Sequence, residues 1–501
     1  MSDRVTKLWP ALLALTLAAV VCHAGLQLRA GDPKMPIASG KFTPEWQSLM
    51  QYQCPEWFRD AKFGIWAHWS PQCVPEQGDW YARSMYQEGS ADYNYQVATY
   101  GHPSKFGYKD ICHLWTAARW DPDRLIQLYK RAGAQYFVAL ANHHCNFDAW
   151  DSTYQPWNSV NVGPHKDIVG IWAKTARKYG LRFGVTVHCA RTWDWFDVAH
   201  GSDKTGPLAG VPYDGNLTMA DGKGQWWEGL DPQDLYCRAH NPGDPPDQAY
   251  VVKWFSRTRD LVDKYHPDLL YFDDGGLPLG EAGLRIAAHY YNASMQWHQG
   301  KLGAVLTTKG LPPEQRRAVT LDIERGLSDR IEPYPWQTDT CIGEWHYHRG
   351  IHYKTAAQVV PMLADIVSKN GNLLLNIPVR GDGTIDDEEI AFLEEMAGWM
   401  KVNSEAIFGT RPWIASGEGS QGGRSGSFNE GGFGRMTARD FRFTLKGDTL
   451  YAIALGWPED GRLVVRSLAK SEGFDGVITG VKLLGYLATG ASFSGRAMPM
   501  G

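Results

Sequence analysis

Pro267-Asp-Leu-Leu-Tyr-Phe-Asp273-Asp274-Gly275-Gly276 is the stretch on which the fold of this chain turns. Leu269 to Phe272 form a short apolar run, the pattern of a strand buried on both faces. It stops at two carboxylates followed by two glycines. Such strands belong to parallel sheets, and in an α/β barrel the C-terminal strand tips carry the chemistry. An isolated Asp-Asp-Gly serves equally well as a turn or a helix cap. What decides between the two is whether other strand-like runs end the same way.

Several do. Phe63 to Trp69 ends in His68, Tyr136 to His144 ends in His143 and His144, and Arg182 to His188 ends in His188. Further strand-like runs are Gly303 to Lys309, Ala318 to Arg325 (with Glu324), Trp336 to Thr340 and Asn372 to Ile377. Helical spacing separates several of them, over Asp121 to Ala132, Ile168 to Tyr179 and Ala249 to Tyr265. A final helix is marked by the capping-box pair Asp386 and Glu389, with Ile390, Leu393, Ala397 and Met400 on one face. Roughly eight strands in this arrangement predict an α/β fold, a (β/α)8-like TIM barrel carrying insertions. Ser416 to Arg435 is rich in Gly, Ser and Glu and reads as a linker. Short strands at Asp440 to Thr444, Thr449 to Leu455, Arg462 to Arg466 and Ile478 to Leu484 predict a small C-terminal antiparallel β-sandwich. The expected domains are a signal segment at 1–24, the barrel at 25–415, and linker plus β-domain at 416–501.

A net charge of -5 and a pI near 6.3 give no electrostatic case for nucleic acid or an anionic membrane as partner. Arg4 and Lys7 precede the apolar run Leu8 to Val21, and small residues follow near Ala24. This is the pattern of a cleaved export signal, too short for a membrane span, and predicts a periplasmic or secreted protein. Cleavage removes Cys22 and leaves seven of the eight cysteines, an odd number with no zinc-knuckle spacing. Asn216-Leu-Thr218 and Asn292-Ala-Ser294 fit the glycosylation sequon.

A lone histidine at a strand end usually just satisfies a buried hydrogen bond. A set of ionisable residues on one barrel rim, namely His68, His143, His144, His188, Asp273, and Glu324 with Arg325, marks a candidate site. Two chemistries use such a set. Metal-assisted hydrolysis takes histidines and an Asp as ligands, but the first strand offers a single His, and adjacent His143 and His144 on a strand point to opposite faces. Glycoside hydrolysis needs two carboxyl groups, with side chains to bind hydroxyls and aromatic faces for the sugar ring. The chain has 22 Trp, four of them in its long 190–247 loop.

At these residues the chain resembles the α-L-fucosidases of glycoside hydrolase family 29. The matching stretches are Trp57 to Trp69, Tyr129 to His144, Tyr265 to Asp273, Ile366 to Ile377, and, less closely, Asp440 to Pro458. The resemblance implies a catalytic barrel with a C-terminal β-domain, a retaining exo-glycosidase, and no cofactor or metal. It also implies that Asp273 is the nucleophile, Asp274 its neighbour, and His68, Trp80, Tyr81, His143 and His144 the sugar pocket. A fucosylated oligosaccharide or polysaccharide is the implied partner.

The chain departs from that family at several points. Many members have Lys-His-His-Asp-Gly-Phe where this chain has Asn142-His-His-Cys145-Asn146-Phe147, and Gly-Glu-Trp-Tyr becomes Gly78-Asp79-Trp80-Tyr81. A Trp-Glu pair becomes Trp336-Gln337, and Gln cannot donate and retrieve a proton. The acid/base role therefore moves, to Glu324 beside the substrate-binding candidate Arg325, with Glu344 and Asp339 as alternatives and His188 as a further pocket residue. Two other readings stay open: a carbohydrate-binding relative with altered catalysis, and a metal-dependent hydrolase on the same barrel.

Overall fold

A computed structural model describes residues 35–420, 425–432, 436–469 and 476–485. The expected signal segment at 1–24 lies outside the described residues. Each apolar run forms a strand: β1 Phe63–Ala67, β2 Tyr136–Asn142, β3 Arg182–Val187, β4 Leu269–Gly275, β5 Val305–Lys309, β6 Thr320–Asp322, β7 Trp336–Cys341 and β8 Gly371–Asn376. All neighbouring pairs are parallel, and β1 pairs with β8, so the sheet closes into a barrel in sequence order. The predicted barrel is observed, and its strands are buried throughout except near the tips and edges.

Six longer helices wrap it: α1 Pro122–Arg131, α2 Ile168–Lys178, α3 Gln248–Tyr265, α4 Glu281–Trp297, α5 Ala356–Ser368 and α6 Asp387–Asn403. Asp121, Asp167 and Asp247 cap the first three by accepting from backbone N–H groups in the first turn, and Asp386 with Glu389 forms the expected capping box of α6. Between β5 and β6 only a short 3-10 turn appears, and β6 to β7 has no described helix, so the barrel wall is thinner there.

Period-2 alternation sorts the strand residues. Trp66, Tyr136, Val138, Leu140, Leu269, Tyr271, Val305 and Leu374 pack together as an interior layer. Gly64 makes room for it, because a Cβ there would meet the Tyr136 ring at 2.2 Å. The alternate residues face the helices, as Phe272 does against Trp254 of α3.

After α6 the chain forms a three-stranded antiparallel sheet in the order β11-β10-β9, from β9 Arg411–Glu418, β10 Phe441–Lys446 and β11 Thr449–Ala454. Two expectations change here. Arg462 to Val465 and Ile478 to Leu484 are not strands, and Arg466–Leu468 is a 3-10 turn, so one sheet rather than two is seen among the described residues. The Gly/Ser-rich stretch taken as a linker from Ser416 begins inside β9. Its residues 425–432 return to the barrel, with Gly426 bridging Leu327.

The seven described cysteines are unpaired, and six of them are buried. Of the two sequons, Asn292 is buried inside α4, donating to the carbonyls of Ala38 and Phe42, whereas Asn216 is exposed. Among the described residues, no helix is long and apolar enough to cross a membrane.

Candidate active site

The strand tips converge because each interior-facing residue is followed, two positions on, by a residue at the barrel mouth. Tyr271 leads to Asp273, Trp66 to His68, Thr186 to His188, Thr307 to Lys309 and Asp322 to Glu324. The alternation separates the two carboxylates of the opening stretch. Asp273 faces the mouth, and Asp274 faces the helical layer, where it is buried with one oxygen unpartnered.

Asp273 is gripped from two sides. His188 Nδ1 lies 2.9 Å from its Oδ2, and the Lys309 ammonium donates to its Oδ1. Lys309 also donates to Glu324 Oε2 at 2.6 Å. Two oxygens bonded to one ammonium nitrogen lie no farther apart than the sum of the two bonds, so the two carboxyls stand side by side. Burial pushes the Asp273 carboxyl up, but the charge of Lys309 and the contact with His188 outweigh it and hold the group well below the usual range. Glu324 moves the other way. Burial raises it, Lys309 offsets part of this, and the charges of Asp339 and Asp273 raise it further. The two carboxyls are therefore driven apart, one towards the anion and one towards the acid.

Beneath them the Tyr271 hydroxyl stands 3.0 Å from Asp339 Oδ2, 3.3 Å from Asp322 Oδ1 and 3.4 Å from Asp273 Oδ1. Asp322 and Asp339 are both buried, and burial raises both; the Asp339 charge raises Asp322 further, whereas Lys309 and the hydrogen bond with Asp322 offset part of the rise of Asp339. Gln337 sits inside the barrel wall, donating to Asp322 Oδ2 at 2.8 Å. Its position is thus used for structure, below the mouth. Of the alternative acids, Asp339 is part of this buried pair, and Glu344 is exposed on the loop after β7.

The opposite side of the mouth is a histidine wall. His68 contacts the rings of His143, His188 and His346 at centroid distances of 5.2, 5.2 and 4.5 Å. Gln72 donates to His143 Nδ1 at 2.8 Å, His144 Nδ1 donates to the His188 carbonyl at 2.7 Å, and His346 links Ser70 to Asp79. Both ring nitrogens of His68 are buried without a protein partner. Burial, aided by the neighbouring imidazoles, lowers His68 and His143 well below the usual range and His144 to about 4. Neutral imidazoles such as these three both donate and accept, as sugar hydroxyls require. Asn376, at the tip of β8, accepts from the His68 backbone at 2.9 Å and donates to the Glu344 and Trp345 carbonyls, tying the loop that carries His346.

Two histidine sets place their ligand atoms within 4.8 Å of one another: His68, Asp79, His143 and His346, and His143, His144 and His188. In the first set His143 Nε2 lies 3.9 Å from Asp79 Oδ1 and His346 Nδ1 is bonded to that carboxylate, while Gln72 and Ser70 hold the other nitrogens of the two rings, so a divalent ion there would have to replace the His346–Asp79 bond.

The predicted aromatic pair divides. Trp80, 44% exposed, lies over the rim against His144 and Trp195, at centroid distances of 6.4 and 6.0 Å. Its φ of 67° is costly for a bulky residue, and such strain gathers at functional sites. Tyr81 is corrected: it is fully buried, and its hydroxyl donates to Gln96 at 2.5 Å, so it supports the loop rather than lining the pocket. Arg325 turns away from the mouth to Glu430, 2.7 Å from its Nε. The left-handed Asn146 (φ 64°) explains one substitution: Asn is the side chain that best tolerates a conformation otherwise left to Gly.

Lys309, Asp322, Tyr271, Asn376, Asp79, His346 and Glu430 did not emerge from sequence reading. Lys309 carried the signal, an ionisable residue closing a strand. Asp79 stood out only as the residue that replaces Glu beside Trp80, and His346 and Glu430, on loops, carried no signal.

The alpha-L-fucosidase family model matches residues 32–405. The tissue alpha-L-fucosidase of Rattus norvegicus is 27% identical over 454 residues, covering 88% of this chain and 85% of that protein. The crystal structure of Thermotoga maritima alpha-fucosidase in complex with fucose matches with a TM-score of 0.61 and 29% identity, covering 83% of this chain and 87% of that one. The same enzyme in complex with a mechanism-based inhibitor matches with a TM-score of 0.63 and 30% identity, covering 83% and 86%. With the family model spanning most of the chain and two carboxyls held at a barrel mouth, this protein belongs to the alpha-L-fucosidase family of glycoside hydrolases.

Proposed function

We propose that this chain is a retaining, exo-acting α-L-fucosidase that removes terminal fucose from glycans through a covalent glycosyl-enzyme. Asp273 attacks the anomeric carbon while Glu324 gives its proton to the departing glycosidic oxygen. Glu324, now a carboxylate, takes a proton from water, and the resulting hydroxide equivalent displaces Asp273 from the sugar. The observation that carries this reading is the shared Lys309: one ammonium holds Asp273, whose carboxyl is lowered, beside Glu324, whose carboxyl is raised, the side-by-side pair that a retaining mechanism needs. The ionised Asp273 favours the positive charge that the oxocarbenium-like transition state develops beside it.

The histidine wall and Trp80 supply hydroxyl and ring-face contacts for one terminal sugar. One carboxyl attacks and the other makes both proton transfers, so the reaction needs no cofactor. The apolar N-terminal run supports export to the periplasm or outside the cell, which sequencing the mature N-terminus would test.

The test is release of 4-nitrophenol from its α-L-fucoside by the wild type and by Asp273→Ala. Activity in the wild type and a loss of about 10³-fold or more in the folded variant is expected. Activity surviving in the variant would remove Asp273 from its role. Inactivity of both would move the reading to another sugar or to a binding protein.

A further inference from the structure

The Gly/Ser-rich segment after β9 comes back to the barrel at one place only among the described residues, and that place is the chain leaving Glu324. Phe428 N–H donates to the Glu324 carbonyl at 2.9 Å, and Glu430 N–H donates to the Arg325 carbonyl at 2.9 Å. Gly426 and Leu327 exchange both of their backbone bonds, at 2.9 and 3.3 Å. Residues 426–430 thus lie along 324–327, joined by one antiparallel bridge and two further backbone bonds just past the end of β6.

The side chain of Glu430 then closes a clamp. Its Oε1 accepts from Arg325 Nε at 2.7 Å and Lys354 Nζ at 3.2 Å, and its Oε2 accepts from the Thr340 hydroxyl of β7. The carboxylate is largely buried and has a partner on the β6 exit, on β7 and on the loop before α5. What it fastens is strained: Arg325 has a φ of 43°, which a β-carbon residue adopts only when its surroundings enforce it. That turn begins one peptide after Glu324 and sets where its carboxyl points. Arg325 is further tied by its own N–H to the Asp339 carbonyl at 2.7 Å.

We propose that Glu430 is a positioning residue for the acid/base: through Arg325 and the pairing of 426–430 with 324–327, it holds the Glu324 carboxyl at the leaving-group oxygen. Glu430 touches neither sugar nor reacting atoms. The inference rests on the proposed role of Glu324, and it places part of that proton-transfer machinery in the C-terminal region of the chain.

The distinguishing property of an acid/base is that its importance depends on the leaving group. A fluoride departs with little protonation, whereas a sugar alkoxide needs a proton in the transition state. The experiment compares kcat/KM for α-L-fucosyl fluoride and for a fucosylated disaccharide in the wild type, Glu430→Ala and Glu430→Gln, with thermal unfolding as the check on folding. The expected result is a loss for the disaccharide at least ten times the loss for the fluoride in Glu430→Ala. Glu430→Gln, which keeps the shape and the Thr340 bond, should fall between, and the affinity for fucose as inhibitor should change less than threefold. Arg325→Ala should show the same leaving-group pattern, and the double variant should be no worse than the poorer single one. Equal losses on both substrates, or none, would overturn the positioning role. A wild type active on the fluoride with Glu324→Ala indifferent to leaving group would instead overturn the role of Glu324 itself.

Discussion

At the scale of single residues, the site is governed by one cation among four carboxyls. Lys309 lies against Asp273 and Glu324, with Asp322 and Asp339 below, and although its burial favours the neutral amine, these charges keep it protonated. Removing that charge acts on both sides of the chemistry. Asp273, now held down chiefly by Lys309 and His188, would rise, so it ionises only at higher pH. Glu324, which Lys309 partly holds down, would rise as well. For Lys309→Met we therefore expect both limbs of the kcat/KM profile to move to higher pH, with a loss on the order of 10²-fold at neutral pH. Rate profiles from pH 4 to 10 on the aryl fucoside measure this, and an unmoved acid limb would show that Lys309 does not control Asp273. Lys309 was legible in principle, since it closes a strand as Asp273 does. A lysine among carboxylates becomes meaningful only when the neighbouring tips are seen around it.

At the scale of the element, β4 shows how a strand's two faces assign different fates to adjacent, identical side chains. Asp273 shares its face with Leu269 and Tyr271, while Asp274 shares the other with Leu270 and Phe272. Burial against the helical layer, with the adjacent Asp273 charge, pushes Asp274 up to about 8. The folded protein therefore retains a proton that the unfolded chain releases near pH ~4. The stability associated with that proton is complete below the unfolded value and is lost as pH rises towards the folded one. Asp274→Asn, which cannot ionise, should lose less thermal stability than the wild type between pH 5 and 9, while keeping fucosidase activity within about threefold. Calorimetric midpoints across that range check it, and parallel curves for the two proteins would show that Asp274 does not titrate as its burial implies. The strand itself was visible in the sequence, but which of the two carboxylates faces the mouth awaited the barrel.

At the scale of the whole molecule, the C-terminal sheet is anchored by charge as well as by apolar contact. Arg442 of β10 donates through Nε to Asp365 of α5, which also accepts from Lys369 at 2.8 Å, and all three side chains are buried. Truncating one partner leaves charge buried without compensation. Arg442→Met should therefore destabilise the protein by about 3 kcal/mol, read as a fall in the denaturant midpoint. A change under about 0.5 kcal/mol would mean that Lys369 alone suffices for Asp365. Because α5 also flanks the loop that carries Lys354, loosening this anchor should weaken the Glu430 clamp in the same variant.

The amino-acid sequence by itself determined the barrel, because period-2 apolar runs between capped helices are local patterns that survive without knowledge of their neighbours. It determined Asp273 and the histidines as rim residues for the same reason, since a strand's last interior position is fixed by counting from its core. Only the tertiary structure showed that Lys309 sits between Asp273 and Glu324, that Tyr81 turns inward while Trp80 stays at the rim, and that a Gly/Ser-rich stretch supplies Glu430. Those outcomes depend on which distant segments meet. Lys309 and Glu324 are 15 residues apart and Arg325 and Glu430 are 105 apart, and no periodicity links loops across such separations.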